Sequence, residues 1–141
     1  GGRTKKNFAR KSEIAWCYSK GDEFLFNDIN VRDERKMKKN MRTGEPYKDG
    51  TIPTNVWKFQ NHTMSKKHCG WHPTTKNIDC LKRMILAYTN PGDTVMDCFS
   101  GSGSTMIACG ETGRRFTGCE INENYYKKSL DRYRKLLAKE K

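Results

Sequence analysis

The sequence predicts an α/β fold built on parallel strands, and three observations lead to this prediction. An apolar run ending at Asp97 and a second run over 115–119 flank a glycine- and serine-rich turn and a small-residue helix, which is the order of a β-turn-α-β unit. Amphipathic helices are indicated before and after this unit. The length of 141 residues suits one domain. We therefore expect an incomplete three-layer α/β sheet in a single domain, residues 1–141.

The N-terminal part is predicted to begin with a loop and to continue as a β-hairpin. Residues 1–11 are basic and polar, which is typical of a loop along a phosphate backbone and equally of a frayed terminus. Residues 13–19 are rich in aromatic and apolar side chains, as in a buried strand. Gly21-Asp22 indicates a turn, and residues 23–26 are predicted to form a second short strand. We expect this hairpin beside the parallel strands.

Residues 28–60 are predicted to form a basic excursion from the body of the domain. Gly44, Pro46 and Gly50 interrupt any regular element, and no apolar periodicity is visible. Six cations fall within 11 residues beside only two acids: Arg32, Arg35, Lys36, Lys38, Lys39 and Arg42. We expect an exposed segment that orders on a nucleic-acid groove, with a merely solvated loop as the alternative. An apolar alternation over 54–59 returns the chain to the body.

Two amphipathic helices are predicted around the β-turn-α-β unit. The first opens near Pro73, with Thr74 or Thr75 as its cap. Its apolar stripe recurs at helical spacing: Ile78, Leu81, Met84, Ile85 and Tyr88. The last helix follows a cap at Asn122. Its apolar face is predicted to hold Tyr125, Tyr126, Leu130, Tyr133 and Leu137, and its basic face Lys127, Lys128, Arg132, Arg134 and Lys135.

The turn between the two predicted strands has the features of a nucleoside-binding site. Gly101 and Gly103 allow positive φ and let a ligand approach the backbone. Ser104 or Thr105 is expected to cap the following helix, which runs to about residue 111. Glu120 follows Gly101 by 19 positions, and a carboxylate at such a place accepts hydrogen bonds from ribose hydroxyls.

Asp97 disfavours a ligand that carries phosphate. Its carboxylate would repel a pyrophosphate and favour a cationic or amine-bearing group. The third glycine of the dinucleotide-binding pattern is also absent, because Met106 occupies that position. S-adenosylmethionine carries a sulfonium and an ammonium but no phosphate, so it fits these residues better than a dinucleotide. The alternative is a structural glycine-serine turn in another kind of α/β protein.

The composition points to a polyanionic partner. The formal net charge is +12, and most of the surplus lies in residues 1–70, away from the predicted nucleoside site. Nucleic acid is the simplest partner for such a surplus, with ordinary solubility charge as the alternative. The sequence contains no run of 18 apolar residues and no apolar signal segment near its start, so we expect neither a membrane span nor secretion.

The six cysteines form no C-x-x-C pair and suggest no disulfide framework. We expect them to be reduced, mostly buried small hydrophobes of a cytoplasmic protein. One cluster, His62, His68, Cys69 and His72, contains metal-binding residue types. Its spacing matches no common zinc pattern, so we expect no metal site there.

Several motifs resemble those of the amino-directed DNA methyltransferases, which methylate the exocyclic amine of adenine or cytosine. Residues 97–105 (DCFSGSGST) are similar to the cofactor motif D-P-F-x-G-S-G-T-T, and residues 72–76 (HPTTK) resemble the H-P-T-x-K-P segment that precedes it. Residues 118–126 are similar to the G-x-E-x…Y-Y ending, and residues 52–57 to an earlier stretch. The resemblance covers residues 12–138. It implies a Rossmann-like fold of the S-adenosylmethionine-dependent methyltransferases. It also implies a protein of the cytoplasm of a bacterial or phage-type host cell.

The charge pattern and the resemblance together imply the site residues. DNA recognition is expected over 28–60, through the six cations between Arg32 and Arg42, and cofactor binding over 72–138. The expected cofactor-binding residues are Thr74, Lys76, Asp97, Phe99, Gly101, Ser102, Gly103, Ser104, Thr105 and Glu120. Cys98 and Asn77 replace prolines of the family pattern without removing a polar contact.

The family's catalytic tetrapeptide, Asp/Asn-Pro-Pro-aromatic, is absent, because the four prolines include no adjacent pair. In members with this motif order the tetrapeptide lies before the region equivalent to Gly1, so the chain resembles the C-terminal half of a methyltransferase. We expect catalysis to require the missing half, from a longer chain or a second chain. A non-catalytic DNA-binding remnant is the alternative, and a nucleotide-dependent oxidoreductase is a more distant one.

Overall fold

The structure, a computed structural model, describes residues 12–34, 38–47, 50–59 and 69–138. A short 3-10 helix at Asp28–Val31 precedes the body of the fold. The body follows in the order α1 (Ile78–Tyr88), β1 (Thr94–Asp97), α2 (Ser104–Glu111), β2 (Arg115–Gly118) and α3 (Glu123–Leu137). Helices and strands therefore alternate in the C-terminal half as the sequence predicts.

The two strands form a parallel pair, in which Thr94 lies opposite Arg115 and Asp97 opposite Gly118. The α/β class and both predicted parallel strands are thereby confirmed. Within the described ranges the sheet has only these two strands, so the expected three-layer arrangement is not seen there. Because the strands are parallel, both carboxyl ends meet at one edge of the sheet, next to the glycine turn.

The core lies among the sheet, α1 and α2. Ile85, Ala108 and Cys109 are buried at its centre, and Val95 and Phe116 reach it from the two strands. Successive side chains of a strand point to opposite faces, and the neighbour of Val95 on β1, a methionine, is 67% exposed. One face of this sheet is thus packed and the other is open.

The start of α1 corrects a predicted cap. Asn77 caps this helix, because its side chain accepts a hydrogen bond from the Cys80 amide at 3.0 Å. Thr74 and Thr75, the predicted caps, lie before the helix, and only Thr74 belongs to a turn. Asn77 directly precedes the apolar stripe, and asparagine is among the best capping residues. It therefore forms the cap in place of the threonines further upstream.

The start of α2 also differs from the prediction. The helix begins at Ser104, directly after Gly103, whose left-handed backbone (φ 72°) turns the chain into it. No side chain caps this helix, so Ser104 and Thr105 are wrong as predicted caps. Both already belong to the first helical turn, and the Thr105 hydroxyl bonds to Asp97 instead.

The last helix is capped as predicted, because Asn122 accepts a hydrogen bond from the Tyr125 amide at 3.1 Å. Its faces differ from those predicted. Arg132, assigned to the basic face, is partly buried, and Tyr126, assigned to the apolar face, is 49% exposed. The buried stripe is instead centred on Ser129, which a search for large apolar residues overlooks.

The predicted hairpin over 13–26 is wrong. No strand forms in this segment, and Trp16 and Tyr18 are 76% and 85% exposed. Aromatic residues favour a strand only where a neighbouring strand and an apolar surface are available, and the described residues provide neither here. The segment is tied to α1 at its end, where the rings of Phe26 and Tyr88 lie 5.7 Å apart.

The cysteines are all free, and their burial is mixed. Cys69 and Cys109 are buried, whereas Cys17, Cys98 and Cys119 are exposed, so the expectation that most are buried is wrong. The reason is that these three lie in the N-terminal coil and just beyond the ends of the two strands. A membrane-crossing helix is also not found: within the described ranges no helix has the necessary length and apolar character.

Candidate functional site

The turn over 98–103 brings the carboxyl ends of the two strands together. Gly101 and Gly103 both have positive φ, at 49° and 72°. The space beside each is closed as well. A Cβ on Gly101 would lie 2.8 Å from Nε2 of His72, and a Cβ on Gly103 would lie 2.9 Å from Cβ of Ser129. Glycine is thus required at both positions by backbone conformation and by space.

The Asp97 carboxylate organises this turn from the end of β1. Its Oδ2 accepts a hydrogen bond from the Thr105 hydroxyl at 2.6 Å, and its Oδ1 accepts one from the Phe99 amide at 3.0 Å. Each carboxylate oxygen can accept a further bond. The Phe99 ring beside it is 91% exposed. A cationic or N–H-bearing ligand can therefore share this carboxylate without displacing its protein partners.

The Glu120 carboxylate closes the site from the end of β2. Its Oε2 accepts the Gly101 amide at 2.7 Å, and its Oε1 accepts the Asn122 amide at 2.9 Å. The residue is partly buried. Since each oxygen makes one bond to the backbone, both retain capacity for a hydroxyl donor.

A cleft of about 120 Å³ lies beside the turn. Eight of the ten residues predicted to bind a cofactor line it: Thr74, Lys76, Asp97, Phe99, Gly101, Ser102, Ser104 and Thr105. The other two, Gly103 and Glu120, reach it through the turn, the first packed against α3 and the second bonded to Gly101. His72 and Ser100 line the cleft too, although neither was predicted as a site residue. Both residues belong to the motifs over 72–76 and 97–105, so the sequence motifs already indicated that these residues lie near the site.

Lys76 and Glu13 connect the cleft to the N-terminal segment. The Lys76 ammonium lies 2.8 Å from a Glu13 carboxylate oxygen, and both side chains are more than half exposed. Such an exposed ion pair contributes little to stability and exchanges readily with solvent or a ligand. Lys76 can therefore turn to an anionic group in the cleft.

His72 packs between aromatic rings and the turn. Its ring lies 4.7 Å from that of Tyr125 and 6.0 Å from that of Trp71. Its Nδ1 accepts a hydrogen bond from the Thr74 amide at 3.3 Å, which requires an unprotonated Nδ1. Burial lowers the pKa of His72; Glu120 opposes this shift, and a nearby arginine adds to it. Position and protonation state both make His72 a packing and positioning group.

The basic excursion presents cations to solvent. Lys38, Lys39 and Arg42 are exposed. Arg32 differs, because it forms an ion pair with Asp28 at 2.5 Å and its side chain is only 24% exposed. The remaining two predicted DNA-binding residues, Arg35 and Lys36, lie outside the described residues.

The excursion is joined to α1 through Arg83. This residue forms an ion pair with Asp33, and its guanidinium carbon lies 5.6 and 5.5 Å from the ring centroids of Trp57 and Phe59. Asp33 and Thr51 exchange two backbone hydrogen bonds of 2.8 Å. The Asp33–Thr51 pair therefore holds the outgoing and returning parts of the excursion together beside α1.

The metal-binding residue types do not assemble in the described part of the chain, which contains no group of three or more such side chains. His62 and His68, two members of the cluster considered above, lie outside the described residues. Of the other two, Cys69 is buried and His72 supports the glycine turn.

Comparisons with known proteins identify relatives over most of the chain. A family model described as DNA methylase matches residues 1–131. The type II methyltransferase M1.MboII of Moraxella bovis is 33% identical, over 88% of this chain and 54% of its own length. The DNA adenine methyltransferase YhdJ of Escherichia coli K12 is 43% identical, over 62% of this chain and 30% of its own length. The chain thus matches about half of the first relative and a third of the second.

A solved structure shares the fold. The PvuII DNA methyltransferase, described as cytosine-N4-specific, superimposes with a TM-score of 0.53 at 23% identity, over 58% of this chain and 32% of that chain. At this identity the similarity concerns the fold alone. The family match covers residues 1–131, which include every residue of the cleft. The chain belongs to the DNA methylase family.

Proposed function

We propose that this chain is the cofactor- and DNA-binding portion of an S-adenosylmethionine-dependent DNA methyltransferase that acts on the exocyclic amine of adenine or cytosine. One observation carries the proposal: the carboxylates of Asp97 and Glu120 lie at the carboxyl ends of adjacent parallel strands, with the glycine turn between them. Ligands of open α/β sheets bind outside the carboxyl ends of the strands. Two carboxylates there suit a ligand with an ammonium and hydroxyls, and they disfavour phosphate.

The cleft fits the chemical groups of S-adenosylmethionine. Asp97 would accept hydrogen bonds from the ammonium, and Glu120 would accept them from the ribose hydroxyls. Lys76, or the backbone at Thr74 and Thr75, would meet the carboxylate of the methionine part. The cofactor would supply a methyl group activated by the sulfonium. The protein would contribute orientation and exclusion of water around it, which are the main sources of rate in such a transfer.

The groups that would hold the target base are not assigned to residues of this chain. An aromatic amine needs hydrogen-bond acceptors for its N–H groups and a ring that stacks on the base. In the resemblance described above, the Asp/Asn-Pro-Pro-aromatic tetrapeptide supplies them, and these 141 residues contain no Pro-Pro pair. We therefore propose that activity depends on a segment or second chain that provides this tetrapeptide. A non-catalytic DNA-binding remnant is the second candidate, and the same absence favours it.

DNA binding is proposed for the exposed cations of the basic excursion. Lys38, Lys39 and Arg42 point into solvent, and Arg83 fixes the base of the excursion to α1. The net charge of +12 provides a favourable field for a polyanion. Contacts of this kind position a protein on the phosphate backbone rather than select a sequence.

Calorimetric titration of the chain with three ligands tests the cofactor assignment. S-adenosylmethionine and S-adenosylhomocysteine should both bind, because they share the ammonium and the ribose hydroxyls. NAD should not bind, because its pyrophosphate would face Asp97. Binding of NAD in preference to S-adenosylmethionine would point to the oxidoreductase alternative. Absence of binding by all three would reject a cofactor site formed by this chain alone.

A further inference from the structure

The helix α3 packs directly against the glycine turn. Arg132 donates two hydrogen bonds from one Nη1 atom, to the Ser102 carbonyl at 3.0 Å and to the Ser104 hydroxyl at 3.1 Å. Ser102 and Ser104 are each 4% exposed, and their hydroxyl oxygens lie 3.1 Å apart. Between them, Gly103 packs on Ser129 without room for a Cβ. The turn therefore rests on one face of α3.

Arg132 is a partly buried cation whose partners are neutral. None of the ion pairs found among the described residues includes it. Glu111, the carboxylate that favours its charge, is bonded to Lys82 at 2.9 Å. Burial lowers the pKa of Arg132, yet a guanidinium remains protonated in proteins. A desolvated charge is unfavourable unless it is hydrogen-bonded, and the two bonds to the turn offset part of this cost.

The hydrogen bond from Arg132 to the Ser102 carbonyl fixes the orientation of one peptide group. The Ser102 carbonyl and the Gly103 amide belong to the same peptide, and the Gly103 amide donates to the Ser100 carbonyl at 2.7 Å. A peptide that precedes a left-handed glycine can flip, because glycine tolerates both signs of φ. A flip would break the bonds at both ends of this peptide at once. The guanidinium of Arg132 therefore opposes the flip.

We infer that Arg132 is a positioning residue for the cofactor: it fixes the peptide between Ser102 and Gly103 and so holds the turn in its ligand-binding form. It does not line the cleft, so it acts through the turn and not by contact with the ligand. The identity of the ligand rests on the proposed function above. The orientation of the turn does not, because it is a property of the free chain.

The experiment compares Arg132→Met, Arg132→Lys and the control Arg134→Met. Arg134 lies two positions away on α3, is 72% exposed and pairs with Asp131, so its replacement removes the same charge without touching the turn. Amide hydrogen exchange is measured by NMR on the chain without ligand, followed by calorimetry with S-adenosylmethionine. In Arg132→Met the Gly101 and Gly103 amides should exchange about tenfold faster or more, since a charge-assisted hydrogen bond is lost. Amides of β1 and α1 should keep their rates, and affinity should weaken by a similar factor.

The conservative variant separates positioning from a merely structural role. Arg132→Lys keeps the charge and should restore part of the protection at Gly101 and Gly103, and Arg134→Met should match the parent. Unchanged exchange at the two glycine amides in Arg132→Met would overturn the inference. Uniformly faster exchange across the whole chain in both Arg132 variants would do so as well.

If the parent binds no S-adenosylmethionine, the proposed function fails, and the exchange data still decide the role of Arg132. If the parent and Arg132→Met bind equally well, the positioning role fails and the proposed function stands.

Discussion

Glu120 Oε2 accepts the backbone N–H of Gly101 at 2.7 Å, so the acid at the end of β2 holds the turn at the end of β1. The other oxygen of the same carboxylate accepts the Asn122 amide at the start of α3. One side chain thus joins a turn, a strand end and a helix start. In the proposed function it also binds the ribose, so structural and ligand-binding roles coincide at Glu120.

Replacing Glu120 by glutamine should damage the site although the side chains have the same shape. A glutamine amide offers one oxygen and one NH₂ group, so one of the two backbone N–H groups would face a donor. We expect affinity for S-adenosylmethionine to fall about tenfold or more, since a charged acceptor is lost, together with a lower Tm. Calorimetry and thermal denaturation measure both, with Glu123→Gln on the exposed end of α3 as control. Parent affinity in Glu120→Gln and in Glu120→Ala would remove Glu120 from the site.

Replacing Asp97 by asparagine should weaken cofactor binding with little change in folding. The asparagine oxygen can still accept the Phe99 amide, and its NH₂ group can donate to the Thr105 hydroxyl, which is able to accept. Only the charge toward the ligand ammonium is lost, which corresponds to about a tenfold weaker affinity or more. Titration with S-adenosylmethionine and a Tm measurement test this prediction. A variant that binds as tightly as the parent would show that Asp97 does not meet the ammonium.

Acidification should destabilise the protein through His72. Burial lowers the pKa of His72 in the folded state below its ordinary value of 6.5, so the unfolded chain takes up the proton at a higher pH than the folded chain does. This contribution to stability is complete above pH 6.5 and is lost as the pH falls through the folded pKa. His72→Asn keeps an acceptor for the Thr74 amide but does not titrate. Between about pH 7.5 and about pH 5.5 its Tm should fall less than that of the parent. Parallel Tm curves would exclude His72 as the source.

Removing the exposed cations of the basic excursion should weaken DNA binding and its dependence on salt. Each phosphate contact contributes about 0.9 to the slope of log K against log salt, so replacing Lys38, Lys39 and Arg42 by alanine should lower the slope by up to about three. The control removes three exposed cations from α3: Lys127, Arg134 and Lys135. Fluorescence anisotropy at several salt concentrations measures both. If the two triple variants behave alike, the excursion is only a solvated loop.

Prediction from sequence succeeded where the local structure that the residues favour is also the one that the fold needs at that position. The run that ends at Asp97, the glycines of the turn and the cap at Asn122 each have one favourable local structure, and all three are found as expected. The cleft residues are brought together because the two motifs flank α1, which folds back against α2. Within the β-turn-α-β unit, the order of elements was therefore enough to predict which residues lie near the turn, although not which residue caps α2.

Prediction failed where a residue's environment depends on distant parts of the chain. The apolar run over 13–19 needs a partner strand, and no sequence pattern shows whether one is present. The sequence does not distinguish Arg132 from the exposed cations of α3. Only the packing of the turn against the helix makes it a partly buried hydrogen-bond donor. Likewise, Ser129 is buried because Gly103 lies against it and not because serine is apolar.

Three of the hydrogen bonds that shape the turn join it to residues that follow by 19 positions in the chain. The Ser100 amide and hydroxyl both donate to the Cys119 carbonyl, at 2.9 and 2.7 Å, and the next amide donates to Glu120. During folding, the turn therefore lacks these three bonds until β2 has docked beside β1. Closing a loop of this length carries a modest entropy cost, so docking of the two strands is a local step that can occur early. Docking of the two strands therefore gives the turn its first long-range contacts, and the bond from Arg132 on α3 to the Ser102 carbonyl completes them.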